Sequence, residues 1–213
     1  MLAFGHAGIT LGVTVLSLGV LDKLGKLPQK RPGTDLPVGP PEAEPAGNGF
    51  SGSSRPSWLT AVASFIDLRI LLVGSLLPDF IDKPVGIYLF PEVFSSGRIF
   101  SHSLLFAVLV TLAGIFLFRR TGRTWLMALS IGVCMHLILD QMWLAPHTLF
   151  WPAFGTHFDT AYLENWLKTI FYELFTDPSV FIPELIGAAI SVWFVIVLLY
   201  NKKVFTFLRY GHF

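Results

Sequence analysis

Cysteine and charge are what this chain has least of. Its 213 residues include one cysteine, Cys134, so no internal disulfide can form, and the apolar surroundings of that residue mark it as a packing group rather than a reactive thiol. Only 14% of the residues are charged, against about 25% in an ordinary soluble domain. A net charge of +1 supplies no basic footprint, so no nucleic-acid partner is expected. Missing too, from residues 1–21, are a basic leading region and a small-residue cleavage site, so this apolar stretch reads as a retained helix and not a signal peptide. What the chain has in excess is apolar surface: 53% hydrophobic residues and a mean hydropathy of +0.64. The composition is that of an integral membrane protein, with the lipid bilayer as its first partner.

A spanning helix needs about 20 mostly apolar residues. Residues 1–21, 99–118, 125–144 and 180–200 meet that need, and 58–77 does so with Asp67 and Arg69 inside it. The expected fold is therefore all-α, a polytopic transmembrane bundle of about five spans forming one membrane-embedded domain over 1–213. Residues 28–56, with seven prolines and five glycines among polar residues, read as a disordered loop interrupting that domain. Residues 78–98 read as a broken segment, and 159–175 as a helix lying in the headgroup layer.

The basic residues orient the bundle. With the N-terminus outside, eleven of the 15 lysines and arginines fall on the cytoplasmic side and only Lys83, Arg98 and Lys168 on the outer side. An inner membrane of a prokaryote, with the N-terminus on the outer face, is the expected location. The same topology gathers His6, Asp79, Asp82, His102, His136 and Asp140 near that outer face. Ionisable groups at membrane depth are expensive and mark function by default. Histidine with carboxylate is a donor set for divalent metals, zinc above all, as one or two ions. His136 and Asp140 are four apart and share a helical face. Asp79 and Asp82 follow Pro78, where a helix is expected to stop. Taken singly, each has a plain structural role, as cap, interfacial group or buried polar pair; their convergence on one side is the argument for a site.

The segments Gly74-Ser75-Leu76-Leu77-Pro78-Asp79-Phe80-Ile81-Asp82-Lys83-Pro84, Gly97-Arg98-Ile99-Phe100-Ser101-His102-Ser103, His136-Leu137-Ile138-Leu139-Asp140 and Leu149-Phe150-Trp151-Pro152, taken in order, resemble the YdjM-like family of membrane-bound metal-dependent hydrolases. Many members carry Pro-Asp-x-Asp, whereas here the second acid comes one residue later, at Asp82. Many also carry a histidine where this chain has Gly97. More distantly, the order of ligands is similar to that of the zinc-dependent phospholipase C and P1 nuclease group. Asp82, beside Asp79 in the expected turn, joins the candidate metal ligands, and the resemblance implies metal ligation by His6, Asp79, His102, His136 and Asp140. It implies hydrolysis of phosphoesters or phospholipids by a metal-activated water at the outer face. Asp82 is then the expected general base and Arg98 the stabiliser of developing charge. The alternative is a metal-binding membrane protein without turnover, a transporter or a scaffold that recruits a partner. A transporter should show polar residues continuing through the bundle.

Overall fold

In lipid every backbone polar group must be satisfied within the chain, which leaves helices as the natural element for so apolar a sequence. The computed structural model describes residues 2–23, 66–158 and 166–211, and all regular structure among them is helical. The longer elements are α1 (Ala3–Lys23), α2 (Leu68–Lys83), α3 (Leu104–Thr121), α4 (Trp125–Leu139), α5 (Trp166–Thr176), α6 (Pro178–Tyr200) and α7 (Val204–Tyr210). Among the described residues two helices, α3 and α6, are long and apolar enough to cross a membrane. The apolar part of α1, Ala3–Ser17, and all of α4 are shorter. The expected loop at 28–56 lies outside the described residues, as do 58–65 of the second expected span and Tyr162 of the expected interfacial helix. The described part of that helix, α5, carries the exposed side chains of Phe171, Tyr172 and Phe175.

Contacts pair α2 with α4, α1 with α6 and α3 with α4, and α1 also touches α2 and α4. Small residues set these crossings, since without a hydrophobic drive between helices close backbone approach supplies the packing. A Cβ on Gly74 of α2 would run into the Leu129 carbonyl of α4, and one on Gly132 into the Leu71 carbonyl of α2. Likewise a Cβ on Gly8 of α1 would meet the Gly187 carbonyl of α6, and one on Gly187 the Phe4 carbonyl of α1. Because backbone, not a flexible side chain, meets the added atoms, relaxation is costly. Gly132→Val is expected to destabilise by at least the roughly 1–3 kcal/mol of ordinary overpacking. A lowered thermal midpoint in detergent would report it, beside an unchanged midpoint for Ala113→Val on the exposed side of α3.

Four helix ends differ from the sequence expectation, each for a local reason. Asp67 and Arg69 do not lie in mid-span. Asp67 caps α2, its Oδ1 accepting from the Arg69 N–H at 3.0 Å. Arg69 pairs with Asp67 at 2.8 Å and donates to the Leu208 carbonyl at 2.7 Å, tying α7 to the start of α2. At the other end α2 does not stop at Pro78 but runs on to Lys83, continuing as a wider turn over Pro84–Leu89 and a single helical turn at Pro91–Phe94. Proline costs one backbone bond inside a helix without necessarily ending it. Helix α3 begins at Leu104, later than expected, because residues 99–102 are drawn onto Asp82. Helix α4 ends at Leu139, where Gln141 takes a left-handed backbone (φ 52°) and Met142–Leu144 turns away.

Antiparallel alternation then puts the start of α1, the end of α2, the start of α3, the end of α4 and the start of α6 at one end of the bundle. The other half is closed by an apolar core of Leu11, Val15, Leu68, Leu71, Phe194 and Leu198.

Candidate metal centre

Helix α2 carries Asp79 and Asp82 three residues apart, on successive turns of one side. The imidazole of His102 is held between them: its Nδ1 is 2.7 Å from Asp82 Oδ2 and its Nε2 is 3.6 Å from Asp79 Oδ1. Asp82 is fully buried and does more than touch the ring. It accepts backbone N–H bonds from Ile99 (2.7 Å), Ser101 (3.1 Å) and His102 (3.2 Å). Ser101 Oγ adds a bond to the Pro78 carbonyl at 3.0 Å. The carboxylate thus winds residues 99–102 around itself and presents His102 from a fixed backbone.

His136 and Asp140 enter from the end of α4. His136 is fully buried, and its Nδ1 lies 2.7 Å from the Ser75 carbonyl oxygen across the close α2–α4 crossing. His6 of α1, also fully buried, stacks on His136 with ring centroids 4.1 Å apart. His6 Nε2 is 3.0 Å from Asp140 Oδ1. That contact has the distance of an ion pair but not the alignment of a hydrogen bond, so among the described residues both ring nitrogens of His6 lack a hydrogen-bond partner. Outside the ring of donors, Lys83 Nζ is 2.6 Å from Asp79 Oδ2 and Arg98 Nε is 2.8 Å from Asp140 Oδ2.

The ring partners fix the tautomers. A carboxylate and a carbonyl oxygen only accept, so His102 and His136 both carry their proton on Nδ1 when neutral. Both Nε2 atoms then present a bare lone pair, and the two stand 3.1 Å apart. Asp79 Oδ1 lies 3.9 Å from His136 Nε2, and Asp140 Oδ2 lies 3.8 Å from His102 Nε2. The centre is therefore lined by acceptors. A separation of 3.1 Å is near the ~3.3 Å expected for two nitrogens bound at about 2.0–2.1 Å to one tetrahedral ion. Two groups have donor atoms all within 4.8 Å of one another: His6, His136 and Asp140, and Asp79, His102 and His136. The donors present fit a divalent metal.

Of the sequence candidates, the fold brings His6, Asp79, His102, His136 and Asp140 to one point. Asp82 stands behind His102 and belongs to neither group of donors. Arg98 reaches Asp140 from the rim, its side chain 46% exposed. His147 and His157 are exposed and apart from the centre, and His212 lies outside the described residues. Two participants were not anticipated. Lys83 counts in the sequence only as one of the few basic residues on the outer side. Glu184, only 7% exposed, reaches from α6 to the first turn of α1, where it accepts the N–H groups of Leu2 (2.5 Å) and Gly5 (3.0 Å) beside His6. Helix N-termini leave such donors unpaired and favour negative charge. The signal was there to read, a lone carboxylate inside an apolar span.

No curated protein and no solved structure matches the chain. A family model described as YdjM inner membrane protein matches residues 49–210, which include all the site's residues except His6. The protein is accordingly an integral membrane protein, and it belongs to the YdjM inner membrane protein family.

Proposed function

We propose that this protein is a membrane-bound, metal-dependent hydrolase of phosphoesters, its centre holding one zinc or similar divalent ion. The observation that carries the reading is the pair of bare Nε2 lone pairs of His102 and His136, 3.1 Å apart and ringed by carboxylate oxygens. Lone pairs so placed repel unless a cation lies between them. His102, His136 and Asp79 would hold the ion, with Asp140 and His6 completing its surroundings. One ion is favoured over two, because both groups of donors draw on His136, whose Nδ1 is spent on Ser75. A single ring nitrogen has a single lone pair to give.

When bound, such an ion supplies Lewis acidity, enough to make water a nucleophile near neutral pH. The chain's own residues hold His102 from behind through Asp82, hold Asp140 in place through Arg98 and His6, and offer the outer N–H groups of Arg98 to charge developing on a phosphoryl oxygen. The apolar core closing the far half of the bundle favours chemistry at one face over a transport path. With α1, α2 and α4 completing a five-helix bundle, the basic end of α3 and the Lys202-Lys203 pair that follows α6 would face the cytoplasm and the site the outer leaflet.

The decisive experiment is elemental mass spectrometry of the detergent-purified protein, as isolated and after zinc reconstitution. One zinc per chain is expected; none in either preparation would mean that a shared proton occupies the space between the two rings. Orientation is tested separately. With Cys134 replaced by alanine, a cysteine introduced at Lys83 is expected to react with an impermeant reagent added outside, and one at Gly122 only after permeabilisation. The opposite pattern would reverse the topology.

A further inference from the structure

Two cations stand at the rim of the site in equivalent positions. Lys83 caps Asp79 and Arg98 caps Asp140, in each case at Oδ2, and each is one carboxylate away from His102 Nε2. Their side chains are 27% and 46% exposed, whereas the rings they surround are fully buried. Gly97, next to Arg98, packs beside the Lys83 stem, a Cβ there falling 3.5 Å from Lys83 Cγ. A lysine ammonium has three donors and an arginine guanidinium five, and the bond each makes to its carboxylate uses only part of them, on side chains that reach solvent. Among the described residues of the centre, the carboxylates of Asp79, Asp82 and Asp140 outnumber these two cations, a balance that disfavours an anion. A divalent ion reverses that balance.

We propose that Lys83 and Arg98 form, with the ion in place, a binding site for a phosphate group with more than one unesterified oxygen, and that the site does not exist in the metal-free protein. The inference rests on the metal reading above and adds a residue, an order of binding and a ligand class to it. A metal ion and two separate cationic donors offer three points of attachment, which suits a phosphomonoester better than a diester. Such a group is carried equally by a soluble monoester and by the headgroup of phosphatidic acid. Lys83 becomes a substrate-binding residue, and its bond to Asp79 couples the two occupancies.

The test uses the wild-type protein in detergent, zinc-loaded and freed of excess metal, or stripped by chelator, with zinc counted in the same samples. Amines are labelled with acetic anhydride and read by mass spectrometry, without additive, with inorganic phosphate, with dimethyl phosphate, or with micelles containing phosphatidic acid. Phosphate or phosphatidic acid is expected to shield Lys83 in the loaded protein only, dimethyl phosphate to shield it far less, and Lys202 and Lys203 to be indifferent throughout. Shielding by phosphatidic acid alone would assign the site to a lipid headgroup; shielding by both would show that the phosphate suffices. In Arg98→Gln that retains its zinc, the phosphate concentration for half-shielding is expected to rise about tenfold. Unchanged labelling of Lys83 at one zinc per chain, or equal shielding in stripped protein, overturns the proposal while the metal reading stands. Failure to bind zinc overturns both.

Discussion

Replacing His102 and His136 together by alanine is expected to take the bound zinc from one per chain to background while the helical content survives. The expectation follows from what each ring contributes. Among the described residues, the two Nε2 atoms are the nitrogen donors pinned by partners behind their rings, Asp82 for His102 and the Ser75 carbonyl for His136. His6 has no such partner and is held by stacking on His136, so His6→Ala should weaken binding less than either of the other substitutions. Each single loss of a pinned ligand should exceed the roughly 10–100-fold typical of losing an outer partner. Far-UV circular dichroism and monodisperse elution separate loss of the site from loss of the fold. The ion also binds only the folded chain, so chelation of the wild type should lower the thermal midpoint. At a free zinc concentration 100 times Kd the stabilisation is about 2.7 kcal/mol. The double variant should show no shift with chelator, and a shift of wild-type size would remove these two rings from the centre.

Those five converging residues were legible in the sequence because ionisable groups are costly at membrane depth, and His6, Asp79, His102, His136 and Asp140 are few enough to be conspicuous. The all-helical class was legible for a similar reason: hydropathy reports apolar length. It does not report where the backbone turns. The apolar run 125–144 continues through Met142, Trp143 and Leu144, yet α4 ends at Leu139 and those residues form a separate turn. Hydropathy thus overstates the length of α4, which is why that helix falls short of crossing length.

Roles were less legible than positions. The spacing of Asp79 and Asp82 places both on one side of a helix. Only tertiary folding of residues 99–102 turns one carboxylate toward the centre and the other into a backbone mould. Asp67 and Arg69 looked like mid-span charges because a helix N-terminus inside an apolar stretch leaves no compositional trace. The glycines at the α2–α4 crossing, Gly74 and Gly132, could have been read as ordinary small residues of membrane helices. Their consequence, the Ser75 carbonyl brought within 2.7 Å of His136 Nδ1, belongs to the packed bundle alone.

Asp82→Asn separates the role expected from sequence from the role the fold gives this residue. A general base at Asp82 would leave zinc affinity intact and abolish turnover. The geometry leads to a different outcome. Asp82 Oδ2 receives the Ile99 and His102 N–H groups and His102 Nδ1, while Oδ1 faces the Ser101 N–H. An asparagine can place its amide NH2 at only one of these positions, and at either it confronts an N–H donor. At the Oδ1 position it opposes Ser101. At the Oδ2 position it drives His102 to accept at Nδ1, which moves the ring proton to Nε2 and points it at His136, where an ion should sit. Zinc affinity is therefore expected to fall by about 10–100-fold, with a stability loss of about 1–3 kcal/mol from the unmatched buried donor. Long-range nitrogen–proton spectra of the imidazoles provide a readout that a purely structural role would not move. To the extent that the amide NH2 takes the Oδ2 position, the Nδ1–H tautomer of His102 in the wild type gives way to Nε2–H in the variant. Wild-type affinity together with an unchanged tautomer would return Asp82 to the role of base. Weakened affinity with the tautomer reversed would make it the residue that aims His102, one helical turn from the aspartate whose oxygen faces that ring's other nitrogen.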